Sequence, residues 1–412
     1  MLDKISIAGF KSLLELQDLE LGQVNVLIGA NGSGKTSLLE AVGVLSAAAA
    51  GEVSDKELSA RGVRLGTPQL YKTSLKEERW RTTITFEASS AEAGKTARYK
   101  VALDNPIKDP KPRWSYRAES LWRGQEKIVG RGRRGERFNG GLEQLPEMPK
   151  LRAEAGLVHF ARRYLDLGEE VEDLLDYLES YAIFSPYTPM LRGMAPDSSQ
   201  RDPLGLFGGR LPEAIEDILD LQRGQFGALD LDELLDLLGW VTQFDVTKPS
   251  RQLLSPNVPA SQKLLRFEDI WMREGRNQIS GYDASEGVLY VLFVLVLALH
   301  PRTPRLFAID NFDQAMHPRL ARAVTRLFCR LMLASDPPRQ ALLTTHNPLV
   351  LDGLDLQDDR IRLFAVERGF ETGGTTKVYR VQVSEDILRA DQNGLSLSNL
   401  WVMGRLGGVP SL

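Results

Sequence analysis

Apolar and polar positions alternate from the first residues of the chain. Ile5 and Ile7 mark a strand, a turn follows, and Val24-Asn25-Val26-Leu27-Ile28 predicts a second strand. A glycine-rich turn separates it from a helical pattern that runs from 35 to about 50. Between 80 and 122 the period changes: 82–86, 97–103 and 114–122 alternate or are β-branched and predict strands. Pro106, Pro110 and Pro112, then a Gly/Arg stretch over 123–141, mark exposed loops. From about 150 to 240 the pattern is helical, with amphipathic pieces at 171–178, 212–221 and 229–240. A loop carrying Pro186, Pro189, Pro196 and Pro203 separates the first piece from the other two, which are rich in Asp and Glu. From 260 onward, strand and helix patterns alternate again, as in an α/β core.

At roughly 150 residues per domain, 412 residues suggest two or three units. A hydrophobic fraction of 42% and a charged fraction of 26% argue against wholesale disorder. The formal net charge of -4 excludes a histone-like polycation, so nucleic-acid contact would need a local basic patch. A single cysteine, Cys329, leaves no intramolecular disulfide and no cysteine-based zinc or iron–sulfur site. His159, His300, His317 and His346 are too scattered to suggest a metal motif. Met1-Leu2-Asp3-Lys4 leads straight into the first strand pattern, so no secretory signal is expected. The longest apolar run, 288–299, is too short to span a bilayer. These features suggest a cytoplasmic protein without a membrane partner.

Gly29-Ala30-Asn31-Gly32-Ser33-Gly34-Lys35-Thr36 fits the phosphate-binding loop G-x-x-x-x-G-K-[ST]. Glycines let backbone N–H groups converge on phosphate oxygens, and the following helix N-terminus adds positive potential. Lys35 would reach the β- and γ-phosphates, and the Thr36 hydroxyl would take a place on Mg²⁺. Arg305-Leu306-Phe307-Ala308-Ile309-Asp310 is an apolar strand ending in an acid, like a Walker B strand whose Asp holds the Mg²⁺ shell. Asp283-Ala284-Ser285-Glu286-Gly287 opens the apolar helix 288–299. Its Ser-x-Gly turn can bind an anion, or Ser285 can simply cap the helix. The strand 341–345 ends in His346, placed to hydrogen-bond a γ-phosphate, although a lone histidine is more often structural.

The order of these motifs resembles the ABC-type ATPases, in particular their RecF/SMC/OLD-like branch. Ile5-Ser6-Ile7-Ala8-Gly9-Phe10-Lys11-Ser12, the P-loop and Asn399-Leu400-Trp401 with Gly404 and Gly407-Gly408 carry the same resemblance over roughly 1–105 and 260–412. It implies an α/β fold: an ABC-ATPase-type P-loop core with a mixed β-sheet, an antiparallel β lobe and a helical insertion. The expected parts are 1–145, a helical lid or partner-docking insertion at 146–258, and 259–412. The implied cofactors are ATP and Mg²⁺. Asn31, Gly32, Ser33, Gly34, Lys35, Thr36 and Ser37, with Ser285 and Gly287 as signature motif, would contact nucleotide. Thr36 and Asp310 would bind metal, and Asp310, Asn311, Asp313 and the switch histidine His346 would serve hydrolysis. The family mechanism is a head-to-tail homodimer in which each ATP lies between one P-loop and the partner's signature turn.

One position departs from the family. Where a Glu usually follows the Walker B Asp, this chain has Asn311, which can hold a water but cannot accept its proton. Either turnover is slow, or Asp313 or another group substitutes. Relatives of the OLD type carry a C-terminal nuclease, but little chain follows His346, so a nuclease or toxin effector would be a separate polypeptide. Arg131, Arg133, Arg134 and Arg137, near Trp114, Tyr116 and Trp122, could meet DNA, although a solvated loop explains them as well. The expected function is therefore nucleotide-controlled dimerisation governing DNA binding or a separate effector, in genome maintenance or anti-phage defence. A nearly hydrolysis-dead ATP-bound scaffold is the alternative. A P-loop kinase leaves Ser285, Gly287 and His346 unexplained, and a transporter ATPase leaves the insertion unexplained.

Overall fold

In the computed structural model, the described residues are all except 77, 79–81, 93, 133–134, 139–150, 198, 200, 222–223, 260–261, 383–395 and 409–412. Two sheets organise them. The first is antiparallel and seven-stranded. It consists of β1 (Lys4–Phe10), β2 (Leu13–Glu20), β4 (Ile84–Glu92), β5 (Lys95–Asp104), β6 (Ser115–Arg123), β7 (Glu126–Gly132) and β8 (Gly135–Phe138), in the order β2-β1-β4-β5-β6-β7-β8. The second holds β3 (Val24–Ile28), β9 (Ala182–Phe184), β15 (Leu306–Ile309), β16 (Gln340–Thr345), β17 (Ile361–Glu367) and β18 (Lys377–Val381), in the order β18-β17-β3-β16-β15-β9. All neighbours in it are parallel except the β17–β18 hairpin. The expected mixed sheet and antiparallel lobe are both present.

The parallel strands are mostly apolar because both of their faces are covered. Val24, Val26 and Ile28 point into one core, and Leu27 into the other. Phe307 and Ile309 oppose Leu306 and Ala308 in the same way. The helix Lys35–Ala49 is buried on nearly every side between the two sheets. The helix Glu286–Leu299, apolar all round, lies in the core on the opposite face. Register then sets the chemistry. Ile28 pairs with Thr345 and with Ala365, and Ile309 pairs with Leu343. Parallel strands with this register deliver their C-terminal residues to one edge, where the P-loop, Asp310 and His346 emerge together.

The segment 146–258 is more closely woven into the core than a helical insertion would be. The helix Glu169–Glu179 packs Val171, Leu174, Leu175 and Leu178 into the core beneath the antiparallel lobe. Ala182–Phe184 then forms an edge strand beside β15. The helices Leu211–Leu219 and Leu231–Leu238 pack into the other core. A two-residue ladder, β10 (Gln225–Phe226) with β11 (Leu229–Asp230), occupies the start of what the pattern predicts as helix 229–240. A small sheet of β12 (Val241–Thr247), β13 (Leu264–Asp269) and β14 (Gln278–Ser280) leads to the Ser-x-Gly turn at 285–287. Among the described residues of 151–258, the buried side chains join both of these cores.

Candidate functional site

The P-loop turns out of β3 on glycines whose backbone requires them. Gly32 has φ 76° and Gly34 φ 111°, in the region where L side chains are strained. A Cβ on Gly34 would also collide with the Thr376 hydroxyl. Asn31 and Gly32 are exposed at the tip of the loop, Ser33 is buried, and Ser37 is half-buried on the first helical turn. The Lys35 ammonium lies under the loop and donates to the carbonyls of Gly29 (2.8 Å) and Ala30 (3.0 Å). Burial pushes its pKa down to about 8, against the opposing pull of Asp310 and Asp313.

Thr36 and Asp310 meet from opposite ends of the sequence. The Thr36 hydroxyl lies 3.2 and 3.1 Å from the two Asp310 carboxylate oxygens. Thr344 on β16 donates its hydroxyl proton to Asp310 Oδ1 at 2.6 Å and accepts the Asn311 N–H at 2.8 Å. A second staple runs from the Phe312 N–H to the Thr344 carbonyl, at 2.9 Å. These bonds hold Asn311 in a left-handed conformation (φ 57°), which Asn tolerates better than most residues, with its side chain exposed. Asp313 is half-buried and His346 is exposed, and both act electrostatically on the same centre. Partial burial first, then Lys35, lower the His346 pKa, while Asp313 and Asp310 oppose the shift.

The hydroxyl–carboxylate pair of Thr36 and Asp310 is a donor set of hard oxygens, which fits Mg²⁺. Such an ion would offset triphosphate charge there, and Lys35 would neutralise more of it. Ser285 and Gly287 do not join this centre. Ser285 is exposed at the N-cap position of Glu286–Leu299 and makes no side-chain capping bond, so the capping role open to it in the sequence is not taken. Gly287 faces the turn after Asp310: a Cβ there would lie 3.3 Å from the Ala315 carbonyl oxygen. Arg192 of the middle segment donates to the Ala284 carbonyl, at 3.2 Å.

The aromatic residues near the basic stretch are not a free stacking surface. Trp114 and Tyr116 are buried, and the Tyr116 hydroxyl donates to the Ala48 carbonyl at 3.0 Å. The Arg98 guanidinium covers the Trp122 ring at 4.1 Å. Arg131 donates to the Ala155 carbonyl, while Arg133, Arg134 and the side chain of Arg137 lie outside the described residues.

Sequence reasoning missed Thr344, Thr376 and Ser12. The Thr376 hydroxyl lies 2.7 Å from the Ser33 carbonyl and 2.7 Å from Ser12 Oγ, so the β18 side clasps the P-loop to the β1–β2 turn. It also missed Arg64, whose guanidinium pairs with the buried Glu40 (2.7 Å) and reaches the field of Asp310. A polar residue closing a buried strand was the only signal for Thr344, and a hydroxyl in a hairpin the only one for Thr376.

Among the described residues, no helix is long and apolar enough to cross a membrane. Residues 24–352, most of the chain, match the family described as "AAA domain, putative AbiEii toxin, Type IV TA system". The chain is 35% identical over 109 residues to the DNA replication and repair protein RecF of Paenarthrobacter aurescens (strain TC1), a match covering 26% of each chain. Solved structures that it resembles include the SMC head domain from Thermotoga maritima (TM-score 0.44, 13% identity, 93% of this chain and 99% of that one). Another is the Smc head domain with an extended coiled coil bound to the C-terminal domain of ScpA, from Pyrococcus furiosus (TM-score 0.47, 12% identity, 95% and 99%). The match over residues 24–352 shows that the chain belongs to that AAA-domain family, and its P-loop and motif order resemble the RecF/SMC branch of ABC-type P-loop ATPases.

Proposed function

We propose that this chain binds ATP with Mg²⁺ and closes a head-to-tail homodimer on it, and that this closure controls DNA binding or a separate effector protein. The observation that carries the reading is that the P-loop centre and the Ser-x-Gly helix start sit on different elements. Lys35, Thr36, Asp310, Asp313 and His346 gather at one centre, while Ser285 and Gly287 stand at the start of another helix, Ser285 exposed and without a side-chain cap, Gly287 half-buried against the turn that follows Asp313. A helix start of this kind favours an anion, and a partner's γ-phosphate is the anion this family's chemistry supplies. The toxin–antitoxin wording of the family description and the repair role of the RecF relative support a setting in defence or genome maintenance.

The test is sedimentation with and without ATP and Mg²⁺. Wild type is expected to shift from monomer to dimer, and Gly287→Arg to bind ATP without that shift. A Gly287→Arg protein that still dimerises on ATP would defeat the sandwich. Asn311 favours a second reading, an ATP-bound scaffold that hydrolyses almost nothing. Steady-state phosphate release separates the two.

A further inference from the structure

We propose that Phe370, at the tip of the β17–β18 hairpin, is the stacking platform for the nucleotide base. The inference rests on the nucleotide reading above and adds a residue to it. Three observations carry it: strand order, hairpin geometry and exposure.

Strand order gives the direction. The P-loop leaves β3, which has β16 and then β15 on one flank, and β17 and then β18 on the other. The groups that would attract the metal and the terminal phosphate, Asp310 after β15 and His346 after β16, lie on the first flank. A triphosphate drawn toward them across the P-loop leaves its nucleoside toward the second flank. That flank ends in the hairpin turn between Glu367 and Lys377.

The turn is fixed to the P-loop and is internally rigid. Val366 packs against Gly29 at the start of the loop, and Thr376 against Gly34 at its end. Within the turn, the Gly374 N–H donates to the Gly369 carbonyl and the Gly373 N–H to the Phe370 carbonyl, each at 3.0 Å. The Thr372 hydroxyl bridges to Gly369 at 3.0 Å, and Arg368 Nε donates to the Gly374 carbonyl at 2.8 Å. This bonding holds out a phenylalanine that is fully exposed among the described residues. At roughly 3.3 Å per residue, the three residues from Glu367 to Phe370 reach up to about 10 Å past the strand end. That is the scale on which a base stands off from its β-phosphate. A preorganised ring facing a base gains stacking without ordering a loop at the moment of binding.

Calorimetry with the full chain tests this, using three probes in the presence of Mg²⁺: ATP, GTP and inorganic tripolyphosphate. Stacking is tolerant of base identity, so Phe370→Ala is expected to weaken ATP and GTP alike, roughly tenfold, and to leave tripolyphosphate unchanged. Phe370→Trp is expected to restore the loss. Unchanged ATP affinity in Phe370→Ala would overturn the proposal, as would an equal loss for tripolyphosphate, which would mark a disturbed P-loop. Unchanged ATP affinity with altered sedimentation would make Phe370 a protein-contact residue instead. If wild type binds none of the three probes, the nucleotide reading itself fails. If it binds them and only the Phe370 outcomes fail, that reading stands and the platform falls.

Discussion

At the scale of single residues, the site is a set of charges held under tension by burial. Among the described residues Lys35 donates only to loop carbonyls, and burial pushes its pKa down to about 8. Lys35→Ala is expected to cut ATP affinity roughly 10- to 100-fold, the scale of a lost charged hydrogen bond, with an unchanged circular-dichroism spectrum. The same depressed pKa predicts proton uptake. Above pH 8 the free lysine is largely neutral, and triphosphate charge raises its pKa, so binding should draw protons from the buffer. Calorimetry at pH 8.5 in two buffers of different ionisation enthalpy measures that uptake, and equal heats would count against it. Asn311 calls for a pair of variants. Restoring a carboxylate with Asn311→Glu should raise kcat, since general-base assistance is typically worth 10²–10⁴-fold. The left-handed backbone at 311 costs Glu about 1–2 kcal/mol, so Asn311→Asp, better suited to that conformation, is the companion. If neither variant speeds phosphate release and Asp313→Ala abolishes it, Asp313 is the base.

At the scale of elements, the legible parts are those where chemistry sits at the end of a strand. The P-loop, Asp310 and His346 each follow a short apolar run, and parallel register alone brings them together. Ala182–Phe184 was not legible because three residues show no period, and its partner β15 lies more than a hundred residues away. Trp114 and Tyr116 looked like a stacking surface because strand alternation does not say which face is buried. Thr376 was illegible for a different reason. A lone hydroxyl in a hairpin has no sequence context, and its role appears only where β18 meets the P-loop. Its function is testable. Thr376→Val keeps the shape but leaves the Ser33 carbonyl without its donor, a loss of about 1–3 kcal/mol where burial excludes water. Lower stability in urea and weaker ATP binding are both expected. Ser12→Ala in the same background should add less than its effect alone, because the two hydroxyls share one network. Strict additivity would separate the β1–β2 turn from the loop.

At the scale of the whole molecule, one buried carboxylate ties the antiparallel lobe to the middle segment. Glu119 on β6 is almost wholly inaccessible. It accepts the N–H groups of Leu157 (2.6 Å) and Val158 (3.2 Å), at the start of the helix Leu157–Ala161, and the Tyr99 hydroxyl at 3.0 Å. Just before that helix, the Gly156 N–H donates to the Gly51 carbonyl at 2.8 Å, beyond the end of the P-loop helix. The carboxylate therefore sits where the lobe, the middle segment and the end of the helix Lys35–Ala49 join. Burial raises its pKa to about 7, although the two N–H donors, Arg131 and Tyr99 all favour the charged form. In the unfolded chain the pKa is about 4.3. Between those values the folded state holds a proton that the unfolded state has released, so stability falls as pH rises from about 4.5 to 7. Above that window the penalty is complete, on the order of 3 kcal/mol. Glu119→Gln keeps an acceptor for the helix N–H groups and removes the titration. Its stability relative to wild type should therefore rise across pH 5–7 and level off above. Urea unfolding of both proteins at a series of pH values measures this difference. Parallel curves would mean that Glu119 is already ionised throughout, and that the junction tolerates a buried charge.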